Sequence, residues 1–385
     1  MRFTGRYRVR IRALGLLLSM LIFAIGTVGF GMRWAHGRLS FRIESILEAA
    51  ETCGNGVCDA GETKQSCPKD CRLLLKLLRQ GKDGTGRARR ATRSSESVKL
   101  GPGDSRGSIT IDGRERTYLL HRPAGEDPAK QYPLVMVFHG GHGAGAKIAK
   151  QTGFSGYADR EGFIAVYPDG IEHNWSDGRG TTDAERLGVD DVKFVKALLA
   201  RLQKELSIDE KRIYVTGPSN GGIFTYRLGC EMADVFAAIA PVIGNLAEPL
   251  GMACAPQEAV SVLAINGDAD PFIPIQGGEC CKRGDGGRLL STKDSLNFFV
   301  KKNGCSGTPV REMLPAPVDD GTTLERHTYP ACGYHTDVVW YVIHGGGHAW
   351  PPKPPQAPRI SGPSSKNIDA TSVIWQFFKA HPKAR

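Results

Sequence analysis

Beyond residue 100 the chain has no surplus of positive charge. The whole protein of 385 residues carries a formal net charge of +10, but residues 1–100 hold 19 Lys/Arg against 8 Asp/Glu. That leaves 31 basic and 32 acidic residues for the rest. A groove that tracks phosphates needs cations clustered in the folded body, so nucleic acid is not expected as a partner. Internal repeats are also absent, which sets aside a repeat architecture. A hydrophobic content of 41% suits a globular protein, and at this length one large domain with appendages is expected.

The cationic surplus adjoins the one long apolar run. Arg2, Arg6, Arg8, Arg10 and Arg12 precede ALGLLLSMLIFAIGTVGFGM, residues 13–32, about the length that spans a bilayer as a helix. A secretory leader usually has a shorter apolar core and a small-x-small cleavage site, and Arg33, Trp34 and His36 crowd that position. Residues 1–36 therefore read as an uncleaved anchor with its basic end cytoplasmic, with a cleaved signal peptide as the alternative. Either puts the body on the secreted, periplasmic or extracellular side, and the membrane is a partner only if the segment stays. The 10 cysteines agree, since an even number in an exported chain suggests disulfides.

Four of them, Cys53, Cys58, Cys67 and Cys71, fall within CGNGVCDAGETKQSCPKDC. A segment this short cannot bury a core and must be stapled. Its spacing lacks the close pairs of a zinc ribbon. Residues 50–72 read as a small disulfide-rich module, which resembles the CGNG-type modules of secreted proteins, some of them similar to calcium-stabilised Notch-type repeats. Asn55, Asp59, Glu62 and Asp70 could give oxygen ligands to a structural Ca²⁺; a two-disulfide knot with solvated carboxylates is the alternative. Residues 73–104 pass from a short amphipathic helix to a Gly-, Ser- and Arg-rich stretch, the composition of a flexible basic linker.

From 105 to 385 the pattern is that of a folded domain. SITIDGRERTYLLHRP predicts a hairpin turning at Asp112-Gly113. YPLVMVFHGG, GFIAVYPDG, RIYVTG, FAAIAPVIG, SVLAINGDAD and VVWYVIHGGGHAW predict strands, several of them unbroken apolar runs that suit burial on both faces. DDVKFVKALLARLQKEL, GGIFTYRLGCEMADVF and IDATSVIWQFFKAH predict helices. Strands alternating with helices imply an α/β class with a mostly parallel sheet flanked by helices.

The chemistry is carried by four places at predicted strand ends. Gly217-Pro218-Ser219-Asn220-Gly221 matches G-x-S-x-G between a strand and a helix, the context that makes Ser219 a candidate nucleophile. A serine hydroxyl needs a base and an orienting acid. Asp268 and Asp270 follow a later strand, and His344 and His348 the last. The order Ser, Asp, His is that of α/β hydrolases. His139-Gly140-Gly141 ends an early strand, where an oxyanion loop belongs. Gly140 or Gly141 would supply one donor and the Asn220 N–H the other.

As a set, PLVMVFHGG, YPDGIEHNWSDGRG, VTGPSNGGIFTYRLGCE, INGDADPFIPIQGG and GGGHAWP resemble the secreted polyhydroxybutyrate depolymerase-like esterases, with the feruloyl and acetylxylan esterases of carbohydrate esterase family one. The resemblance covers about residues 105–382. It implies an α/β-hydrolase fold with Ser219 as nucleophile, Asp270 as acid and His348 as base. Asp268 then reads as a turn residue and His344 as a packed histidine. His139 would shape the oxyanion loop near the substrate. Trp175 and Trp350 are candidates to line the substrate pocket, with ordinary packing as the alternative. The resemblance further implies Cys230–Cys254 and Cys305–Cys332 disulfides and leaves the partners of Cys280 and Cys281 open. No cofactor is expected for catalysis. The expected substrate is a polysaccharide-linked feruloyl or acetyl ester, with a hydroxyalkanoate polyester as runner-up. A surface-binding protein that has lost activity is the reading from another class.

Overall fold

A computed structural model describes residues 103–127, 129–281, 285–355 and 357–384. The anchor or signal at 1–36, the cysteine-rich module with its calcium candidates, and the linker to residue 102 lie outside the described residues.

The strands are β1 (Asp104–Ile111), β2 (Arg114–His121), β3 (Tyr132–Val137), β4 (Ile164–Pro168), β5 (Ile208–Pro218), β6 (Ala238–Val242) and β7 (Ser261–Gly267). They continue with β8 (Gly278–Glu279), β9 (Arg288–Leu289), β10 (Val310–Leu314), β11 (Thr323–Tyr329) and β12 (Val338–His344). All but the small β8–β9 pair join one ten-stranded sheet in the order β1-β2-β4-β3-β5-β6-β7-β12-β11-β10. Its centre, from β4 to β12, is parallel, and both margins are antiparallel. The mostly parallel sheet flanked by helices is thus what forms. Asp112 and Gly113 make the β1–β2 turn with φ of 51° and 74°, the two positive values that a two-residue hairpin turn needs.

Apolar residues on the central strands alternate between two cores. Leu134, Met136 and Phe138 point to one face of the sheet and Val135 and Val137 to the other, because successive strand side chains face opposite ways. The first face is covered by α4 (Asp191–Glu205), α5 (Asn220–Glu231) and α7 (Thr292–Lys302). The second is covered by α1 (Gly145–Thr152), α2 (Phe154–Glu161) and α9 (Ala370–Ala380). Short helices α3 (Asp183–Arg186), α6 (Glu248–Gly251) and α8 (Pro358–Ser361) lie in the connections. On α4 the buried positions are Val192, Phe194, Val195, Leu198, Leu199 and Leu202, the spacing of an amphipathic helix. Disulfides Cys230–Cys254 and Cys305–Cys332 tie the ends of α5 and α7 to following loops.

Strand order reverses at β3, which has β4 on one side and β5 on the other. The chain leaves neighbouring strands in opposite directions there, opening a crevice at their carboxyl ends. The loops after β3 and β5 are those that carry Gly140, Gly141 and Ser219.

Candidate active site

Ser219 alone makes the turn between β5 and α5, with φ 58° and ψ −124°. A non-glycine residue pays for that conformation, so the surroundings must impose it. Its N–H donates to the Val242 carbonyl at 3.0 Å. A Cβ on Gly217 or on Gly221 would stand 2.4 Å from the Phe138 carbonyl oxygen. The two glycines of the motif are therefore required by close packing against the end of β3.

Asp270 and His348 are brought together by adjacent parallel strands, β7 and β12. The loops leaving those strands touch main chain to main chain. The Ala269 N–H donates to the Gly346 carbonyl at 3.0 Å, and a Cβ on Gly267 would lie 2.2 Å from that oxygen. His348 Nδ1 meets Asp270 Oδ2 at 2.7 Å. The other carboxylate oxygen accepts from the N–H groups of Phe272 and Ile273 at 2.8 and 3.0 Å, which locks its orientation. The Phe272 ring packs edge-on against His348, with ring centres 5.1 Å apart. Ser219 and His348 line one cavity of about 290 Å³, walled also by Gly140, Gly141, Asn220 and Phe272.

The oxyanion candidates lie on the same wall. The Gly140 carbonyl accepts from His139 Nδ1 at 2.8 Å and from the Gly143 N–H at 3.0 Å. A trans peptide sets C=O and N–H in opposite directions, so the Gly141 N–H is turned away from those contacts. Among the described residues no acceptor takes the N–H of Gly141 or of Asn220. The Asn220 side chain has a separate task. It accepts from the Trp175 N–H at 2.8 Å and donates to Asp177 at 2.7 Å, fixing the 174–179 loop to the start of α5.

None of the three candidates for the substrate wall, His139, Trp175 and Trp350, lines the cavity. Trp175 is fully buried; it stacks on Phe224, crosses Phe138 edge-on, and donates Nε1–H to the His139 carbonyl. Trp350 is fully buried too, against Phe154, with its Nε1–H on Thr371. Neither ring reaches the cavity, because large flat side chains gain most when both faces are covered. His139 is buried with both ring nitrogens engaged: Nδ1 on the Gly140 carbonyl and Nε2 accepting from the Gly170 N–H at 2.9 Å. Burial holds its pKa down to about 4, so it is a neutral brace for the oxyanion loop. His344 departs from the packed histidine expected: its side chain is 38% exposed and pairs with Asp268 and Glu325.

Two charged residues in the site escaped the sequence reading. Arg179 lines the cavity and forms a buried pair with Asp177 at 2.8 Å. Burial raises the Asp177 pKa while Arg179 pulls it back. The available signal was two opposite charges flanking one glycine in HNWSDGRG, a loop otherwise rich in small and aromatic residues. Among the described residues no group of acidic, histidine or cysteine side chains could hold a metal ion; the expected calcium ligands lie outside them. No described helix is long and apolar enough to cross a membrane, and the run 13–32 is likewise outside.

The chain is similar to several known proteins. "Putative esterase NocK" of Nocardia uniformis subsp. tsuyamanensis is 29% identical over 278 residues, covering 70% of this chain and 80% of that protein. Feruloyl esterase C of Emericella nidulans is 29% identical over 276 residues, covering 70% and 85%. Among solved structures, an acetyl xylan esterase from Aspergillus awamori covers 72% of this chain and 99% of its own, at 12% identity and a TM-score of 0.49. Residues 116–278 match the family described as Esterase PHB depolymerase. The likeness to that family over 116–278, and to proteins named as esterases over 70% of the chain, makes it an enzyme acting on ester bonds.

Proposed function

We propose that the chain is an exported serine carboxylesterase of α/β-hydrolase fold that cleaves feruloyl or acetyl esters of polysaccharides through an acyl-enzyme. The observation that carries it is the His348–Asp270 pair at 2.7 Å in the cavity that Ser219 lines. In this reading His348 takes the Ser219 proton as the hydroxyl attacks the ester carbonyl. Asp270 holds the imidazole tautomer and stabilises its charged form. The N–H groups of Gly141 and Asn220, which no described acceptor takes, receive the oxyanion. His348 returns the proton to the leaving alcohol, and water then releases the acyl group by the same relay. Every step uses this chain's own groups, so no cofactor is required.

The acyl preference rests on the wall of the cavity. Pro218, Ile243, Phe272 and Ala349 give it apolar surface, which suits a planar aromatic or short acyl chain. Feruloyl esterases recur among the relatives. A polyester oligomer is the second reading, favoured by the description of the matching family. Export is supported by the two disulfides, which persist in oxidising compartments. The test is Ser219→Ala against p-nitrophenyl acetate, methyl ferulate and a hydroxybutyrate oligomer. Loss of kcat on the order of 10⁵-fold or more is expected on whichever ester the wild type turns over. Unchanged hydrolysis by the variant, or no turnover of any ester by folded wild type, removes the reading and leaves the binding protein.

A further inference from the structure

Cys280 and Cys281 stand apart from the two disulfides. Both are free; Cys280 is buried and Cys281 half-buried. Cys281 lines the same cavity as Ser219 and His348, and it holds a positive φ of 60°, a conformation that costs a side-chain-bearing residue free energy.

The pair touches both halves of the site. On one side the Cys281 N–H donates to the Phe272 carbonyl at 3.0 Å. Phe272 in turn packs on His348 and gives its N–H to Asp270. On the other side Arg179 Nη1 lies 3.5 Å from Cys280 Sγ and donates to the Gly286 carbonyl at 2.5 Å. Arg179 pairs with Asp177, which accepts from the Asn220 side chain. A change at the two sulfurs is therefore two contacts from the Asp270–His348 pair and three contacts from the Ser219–Asn220 turn.

We propose that Cys280 and Cys281 form a thiol–disulfide modification site on the cavity wall, which small-molecule disulfides such as oxidised glutathione close into a disulfide between adjacent residues, lowering esterase activity. The inference rests on the esterase reading for its activity effect only. The Cys281 sulfur, facing the cavity, attacks one sulfur of the reagent; a mixed disulfide forms and the first small thiol leaves with the Cys281 proton. The Cys280 sulfur then attacks the Cys281 sulfur, and the second small thiol leaves with the Cys280 proton. Two protein thiols are oxidised, one reagent disulfide is reduced, and the balance is complete. Cys280 suits the second role. The hydrogen bond with Cys281 lowers the Cys280 thiol pKa and raises that of Cys281, so Cys281 must give up its proton for the first attack. Once Cys281 carries the mixed disulfide that bond is gone, and Arg179, 3.5 Å from the Cys280 sulfur, still favours the Cys280 thiolate against burial, the attacking species.

Closure is expected to be reversible. Adjacent Cα atoms across a trans peptide are about 3.8 Å apart, below the roughly 4.4–6.8 Å at which disulfides are relaxed. Strained disulfides are the readily reduced ones. Closing the ring must also move Cys281, and with it the carbonyl contact to Phe272. Displacements on this scale beside a reacting pair cost up to about 100-fold in rate.

The test uses the full-length protein treated with oxidised glutathione, desalted, and divided for peptide mass, thiol alkylation and p-nitrophenyl acetate kinetics. The peptide containing both cysteines should lose two hydrogens without a glutathione adduct. The kcat/KM should fall between about 5- and 100-fold and recover with mild dithiothreitol. Cys280→Ser should trap a stable glutathione adduct on Cys281, and the double Ser variant should keep its own untreated rate after treatment. Two thiols still open to alkylation, closure without a change in rate, or an equal loss in the double variant would each overturn the proposal. If the untreated enzyme turns over no ester, the function reading fails, while the mass and alkylation results still decide whether the site exists.

Discussion

Two Asp–His pairs sit at the carboxyl ends of β7 and β12, alike in residue type and unlike in surroundings. Asp268 and His344 meet at 2.8 Å, Asp270 and His348 at 2.7 Å. In the first pair the second ring nitrogen is taken by Glu325 at 3.2 Å, and both side chains are about one-third exposed. In the second pair the Asp270 side chain is 1% exposed, and among the described residues no protein group takes the other ring nitrogen. A general base needs one nitrogen held and the other open. Asp268 also accepts from the Gly345 N–H at 2.7 Å. The outer pair therefore clamps the loop that presents His348, and the inner pair leaves one nitrogen open, as the proposed proton transfer requires.

The largest expected effect separates the two pairs directly. Asp270→Asn should lower kcat by about 10³–10⁴-fold, whereas Asp268→Asn should cost less than about 10-fold. Comparing kcat on p-nitrophenyl acetate measures this, and the reverse ranking would break the assignment. Next comes the distinction between packing and binding. Trp175→Ala should cost about 3–5 kcal/mol of stability, read by urea unfolding. Trp175→Phe should lower Tm with KM little changed; a KM effect with unchanged Tm would restore the ring to substrate contact.

A third prediction uses the buried brace. His139 is held to about 4 by burial, while the unfolded chain binds that proton near pH 6.5. Its contribution is complete above about pH 6.5 and is lost as pH falls towards 4, on the order of 3 kcal/mol in all. Unfolding free energies at pH 7 and pH 4.5 should differ less in His139→Gln than in wild type; equal slopes would sink the assignment. The smallest effect belongs to the outer clamp. The hydrogen bond with Asp268 raises the His344 pKa against partial burial, with Glu325 adding to it. A raised pKa contributes stability below the ordinary value that fades as pH rises through the shifted one. For a pair this exposed, Glu325→Gln should change stability by less than about 1 kcal/mol, measured by Tm at pH 6 and pH 8.

What could be read from the sequence follows from which constraints are local. The central strands were legible because burial on both faces leaves unbroken runs such as PLVMV and IAVYP. Ser219 was legible because its turn demands glycine at fixed offsets. β10 and β11 were not read as strands: VREML and TLERHTY set charged residues side by side at the solvated margin of the sheet, which breaks the apolar run that marks a buried strand. The short helices α1 and α2, GAKIAKQT and FSGYADRE, span too few turns to show a periodicity. Position beside a motif also misled at Trp175, since sequence places a residue near a site without saying which way its ring turns. The Asp177–Arg179 pair depends on desolvation, which no single residue type signals.

The seam where Gly267 lies against Gly346 has a consequence for diversification. Asp270 and His348 are carried by loops too tightly zipped to lengthen separately, so an insertion in one would push the other out of line. New substrates are more readily accommodated in the connections 171–188, 274–281 and 285–290, which approach the cavity without sharing that seam. Recognition can drift there while the Asp270–His348 pair stays as it is.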